Sequence, residues 1–96
     1  MLKHYILLRY KSGVNEQHIN AFCEKARAMQ NDIAQIKQLI VGRDILHEAR
    51  SWDVIMDLTV ESIEDLRAYQ AHPVHQALMA FNGDLVSDVA AIDFNI

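Results

Sequence analysis

The chain has 96 residues, a hydrophobic fraction of 51% and a formal net charge of −4 with its five histidines neutral. That length allows one domain, residues 1–96, which buries roughly 60–70% of its unfolded surface. Charges of both signs are scattered without long like-charge runs, which excludes a nucleic-acid footprint, and no run of about 18 apolar residues is present to span a membrane.

The opening apolar run is cut by Arg9, too short for a secretory signal, so a cytoplasmic location is expected. Cys23 is the single cysteine, which rules out an internal disulfide.

Lys3 to Tyr10 reads as a strand. His4, Ile6, Leu8 and Tyr10 share one face, and Lys3, Tyr5, Leu7 and Arg9 share the other. Both rows are largely apolar, so the strand is expected to be central and covered on both sides. Asn15 is a good N-cap, and Glu16 suits the positive end of a helix. Ile19, Phe22, Cys23, Ala26, Met29 and Ile33 recur at helical spacing, which predicts a helix from about Asn15 to Asn31.

Gln38 to Leu46 is rich in branched apolar residues and reads as a second strand. Gly42 within it marks a bulge or a close backbone approach. Trp52 to Val60 is the third strand. Its row Trp52, Val54, Met56, Leu58 and Val60 faces the helices. The opposite row carries Asp53 and Asp57.

Ser62-Ile63-Glu64-Asp65 has the form of a capping box with Asp at the last position. The helix it starts runs to about Ala71. His72-Pro73 then breaks it, because proline excludes the α conformation from the residue before it and suits the first position of a new helix. Val74, Ala77, Leu78, Phe81 and Leu85 continue as a second apolar stripe. Val86 to Ile96 is the last strand, with Ala90, Ile92, Phe94 and Ile96 on one face.

The order is βαββαβ, a ferredoxin-like α+β pattern: a four-stranded antiparallel sheet with helices on one face. The helix-free face is expected to carry the His4, Ile6, Leu8 and Tyr10 row. That row is too apolar for water, which implies a homodimer through the open sheet face.

The chemistry gathers at the helix break. His72 sits at the N-cap and His75 in the first turn, where the helix dipole disfavours an imidazolium and leaves a ring able to accept a proton. Tyr69 lies one turn before the break.

Tyr69-x-x-His72-Pro73-x-His75, behind the acidic helix Ser62–Tyr69, resembles the signature of the stress-responsive dimeric α/β-barrel family. Lys3–Tyr10 is similar to that family's opening strand with its histidine. Val41-Gly42-Arg43-Asp44 and Trp52-Asp53-Val54 are similar to its second and third strands. The resemblance implies that two copies pair into a dimeric α/β barrel. It also implies a site that uses His75 and Tyr69 for catalysis, as in a plant polyketide cyclase of the family. His4, Ile6, Leu8 and His72 would then bind substrate. A second tyrosine of that cyclase aligns near Ala26.

Three readings of function stay open. One is a small-molecule-binding homodimer of the stress-responsive kind, with no cofactor and a small carbonyl or aromatic ligand. Another is a cofactor-independent cyclase, isomerase or lyase with His75 as general base and Tyr69 beside it. The last is a haem-degrading or quinol-oxidising enzyme of the same architecture, or a metal site at His72-x-x-His75 completed by Asp53 or Asp57.

Overall fold

A computed structural model describes residues 1–96. The chain runs β1 (Leu2–Tyr10), α1 (Glu16–Ala28), a 3-10 turn (Met29–Asn31), β2 (Gln38–Arg43), β3 (Val54–Val60), α2 (Ile63–Ala71), α3 (Pro73–Asn82) and β4 (Val86–Asn95). The four strands form one antiparallel sheet in the order β2-β3-β1-β4. The helices pack on one side of it, as the βαββαβ pattern requires.

The expected barrel is not present. β2 and β4 stand at opposite edges of an open sheet and do not pair with each other. The physical reason is strand number: a closed barrel filled by side chains takes about eight strands, and this chain supplies half of them.

The faces of β1 are also reversed relative to expectation. His4, Ile6 and Leu8 pair with Leu58, Met56 and Val54 of β3, so the two rows share a face. That face is the one under the helices, where Leu2, His4, Leu8 and Tyr10 are buried. Beneath α1 and the 3-10 turn, Phe22, Ala26, Met29 and Ile33 pack against Leu58 and Val60 in one core.

The helix-free face therefore carries the other row. Tyr5 stacks on Phe94 at 5.7 Å. Tyr5, Leu7, Ile55, Ala90 and Ile92 line a shallow apolar depression of about 360 Å³ on that face. Lys3 and Asp57 form an ion pair beside it at 2.8 Å. Gly42 lies on the same face in unbroken register with Ile55. A Cβ added there would stand 3.4 Å from the Ile55 side chain, so the glycine marks a close approach and not a bulge.

Candidate active site

The break between α2 and α3 is built by local chemistry. Ser62 caps α2, its Oγ accepting from the Asp65 N–H at 3.1 Å. His72 leaves the helix with φ −63° and ψ 138°, the extended conformation that a following proline demands. Pro73 then opens α3, and the His72 ring caps it, with Nδ1 accepting from the Val74 N–H at 3.1 Å.

This capping bond has a consequence for His75. In an unbroken helix the Val74 N–H would donate to the Gln70 carbonyl, four residues back. Here it points to His72, and the carbonyl is left for side chains. The His75 Nδ1–H donates to it at 3.0 Å, and the Gln76 Nε2–H donates at 2.8 Å. A carbonyl can only accept, so Nδ1 of His75 carries the proton and Nε2 is the bare, basic nitrogen.

Burial pushes the His75 pKa below its ordinary 6.5; the Gln70 carbonyl opposes that shift, and the nearby His4 adds to it. The neutral ring expected from the helix dipole is thus held mainly by desolvation.

Tyr69 packs against this ring, with centroids 4.7 Å apart and planes tilted by 56°. The tyrosine is 1% exposed. Burial alone holds its phenol well above the ordinary value of 10.0, so the hydroxyl keeps its proton and is a donor. It makes no hydrogen bond within the chain.

Tyr69, Gln70 and His75 roof a cavity of about 160 Å³ whose floor is His4, Ile6 and Leu8 of β1. Met56, Met79 and Val89 complete its apolar walls. α3 runs along β1. Asn82 at its far end bonds to Tyr10, while His75 at its start lines the cavity together with His4. The polar groups thus gather at one end of the cavity and the apolar side chains at the other.

Of the residues singled out from the sequence, His4, Ile6, Leu8, Tyr69 and His75 line this one cavity. His72 does not; its Nδ1 is engaged in the cap. The carboxylates considered for a metal lie elsewhere. Asp53 accepts the Tyr10 backbone N–H at 2.7 Å, and Asp57 pairs with Lys3 on the other face of the sheet.

Two groups of residues had no signal in the chain order. Asp93 of β4 stands directly across from His4, and its carboxylate binds the His4 Nδ1. Only the β1–β4 register brings them together. At the far end of α3, Tyr10 Oη and His18 Nε2 both donate to Asn82 Oδ1, at 2.8 and 2.9 Å. Burial pushes the Tyr10 phenol up to about 12, with the Asn82 bond acting against it.

The comparison with known proteins is decided by one match. The model of the Stress responsive A/B Barrel Domain family matches residues 2–96. The chain belongs to this family. It is similar to olivetolic acid cyclase of Cannabis sativa, 28% identical over 76 residues that cover 77% of this chain and 75% of that protein. An Arabidopsis thaliana structure is 26% identical with a TM-score of 0.84, covering all of this chain and 95% of that one. A dimeric ferredoxin-like protein of unknown function from Thermobifida fusca is 23% identical with a TM-score of 0.89, over 99% of this chain and 90% of that one. No helix of this structure is long and apolar enough to cross a membrane.

Proposed function

We propose that this chain is a cofactor-independent proton-transfer enzyme acting on a small carbonyl compound, of the cyclase, isomerase or lyase kind. Nε2 of His75 takes a proton from the carbon beside the carbonyl. The electron pair moves to the oxygen, and the Tyr69 hydroxyl donates a hydrogen bond to the enolate that forms. Ile6, Leu8, Met56, Met79 and Val89 hold the apolar body of the substrate. The observation that carries this reading is the His75 ring itself: neutral, locked at Nδ1 by the Gln70 carbonyl, and set with Tyr69 on an enclosed cavity. Similarity to a relative named as a cyclase supports the same reaction class.

The active form is a homodimer. Tyr5, Leu7, Ile55, Ile92 and Phe94 form a helix-free sheet face with too much apolar surface for a free monomer. A relative of the same fold is described as dimeric, which supports this state. Leu7→Asp should shift the protein to monomer in light scattering after gel filtration.

The test of the activity needs no physiological substrate. The cavity of about 160 Å³ is of the size that takes a benzene ring, so cyclohexanone, with a methylene beside its carbonyl, is a probe of suitable size. Wild type in deuterium oxide should exchange the methylene protons faster than buffer alone, and His75→Ala should not. Equal rates in the two proteins would overturn the reading.

A further inference from the structure

The cavity holds a second imidazole whose environment differs from that of His75. His4 sits in the floor between Leu2 and Ile6, and its side chain is only 9% exposed. Its Nδ1 is bound by Asp93, a carboxylate on the facing strand. Nε2 of His4 has no partner within the chain, and the ring that carries it lines the cavity. A histidine serving only to fill the core would have both nitrogens satisfied. Here one is fixed by an anion and the other is left toward the space where substrate fits.

Asp93 adds a further property. Its side chain is 42% exposed, so the His4–Asp93 pair reaches from the enclosed cavity to bulk water. The His4 ring is backed by a carboxylate, whereas the His75 ring is backed by a backbone carbonyl. The two rings of one cavity are thus suited to opposite tasks.

We propose that Asp93 is a positioning residue that makes Nε2 of His4 the second proton-transfer atom of the site, so that substrate exchanges one proton at carbon with His75 and one at oxygen with His4. This inference rests on the proton-transfer reading given above and extends it. In the forward step the C–H bond breaks and its proton goes to Nε2 of His75. The pair left on carbon becomes the C=C bond, and the C=O π pair moves to oxygen. The oxygen takes the proton from the imidazolium Nε2–H of His4, which is left neutral with Nδ1–H still donating to Asp93. The enol is formed with no net change in protons, and both rings are reset when the enol returns its O–H proton to Nε2 of His4 and its carbon takes a proton from Nε2 of His75. The substrate class that uses both rings has an acidic C–H next to a ketone or aldehyde oxygen, with a body no larger than about one ring.

The experiment compares wild type, His75→Ala, Asp93→Asn and Asp93→Glu in the cyclohexanone exchange assay, together with ¹H–¹⁵N NMR of the histidine rings. Asp93→Asn should slow exchange ~10-fold or more, since proton transfer by a positioned imidazole contributes about 10²–10⁴-fold. Asp93→Glu should recover part of the loss, which a purely structural role would not produce. In wild type, His4 should show a downfield Nδ1–H signal that Asp93→Asn removes or shifts while the His75 signals stay in place.

Exchange lost in His75→Ala but unchanged in Asp93→Asn would overturn this inference and leave the base assignment standing. Exchange unchanged in His75→Ala would overturn the reading beneath it. A His4 ring in wild type with no proton on Nδ1 would overturn the positioning role whatever the variants do.

Discussion

His75 donates its Nδ1–H to the carbonyl of Gln70, five residues back, at 3.0 Å. The bond exists because Pro73 interrupts the helix and His72 captures the N–H that would otherwise occupy that carbonyl. Pro73→Ala should let the helix run through and return the Val74 N–H to Gln70. His75 would then lose its single tautomer, and probe exchange should slow ~10-fold, as loss of a positioned base implies. Stability should fall by about 1 kcal/mol, the usual worth of an N-cap such as the one lost with the break. Ring ¹⁵N shifts and a urea titration check the two halves.

The lowered pKa of His75 links stability to pH. The unfolded ring takes up a proton as pH falls past 6.5, while the buried ring resists it. The unfolded state then binds more protons, so stability falls with falling pH. The His75 contribution is full above 6.5 and is lost as pH drops through the lower folded-state value. Melting temperatures of wild type and His75→Asn across this range should converge on acidification.

His72 is read as a cap, and with Pro73 still holding the helix break its removal should act mainly on stability. His72→Ala deletes the acceptor of the Val74 N–H and should cost about 1 kcal/mol. His72→Asp should restore the loss, since Asp is a strong N-cap residue. Chemical denaturation measures both, and probe exchange by the folded variants should stay within about twofold of wild type on the scale where a base is worth 10²-fold or more.

Local signals were legible where one residue's chemistry decides the outcome. Asn15 and Ser62 cap their helices through side-chain oxygens, and His72-Pro73 ends one helix and starts the next. What the chain order could not carry was pairing between distant strands. β1 is apolar on both rows, so its alternation left open which row lay under the helices, and only the register with β3 decided it. The same holds for Asp93, which meets His4 through the β1–β4 register. The second strand ends at Arg43 and not at Leu46, because Ile45 and Leu46, though apolar, lie in an exposed loop at 84% and 67%. His47 next to them has a positive φ of 53°, which no strand allows.

The Tyr10–His18–Asn82 cluster ties α1, α3 and β1 together at the end remote from His75. Asn82→Leu would leave the buried Tyr10 hydroxyl and the half-buried His18 Nε2–H without an acceptor. A buried donor left unpaired costs about 1–3 kcal/mol and the half-buried one adds to it, so the loss should exceed that of His72→Ala. Urea denaturation of the two variants side by side should show this ranking.

The most direct test of the central claim is the rate of deuterium incorporation into cyclohexanone, followed by NMR as a function of pH for wild type and His75→Ala. The wild-type rate should rise above the buffer rate as His75 loses its proton below pH 6.5, while the variant follows the buffer rate throughout. A folded His75→Ala protein with the wild-type profile would show that the proton is taken by another group.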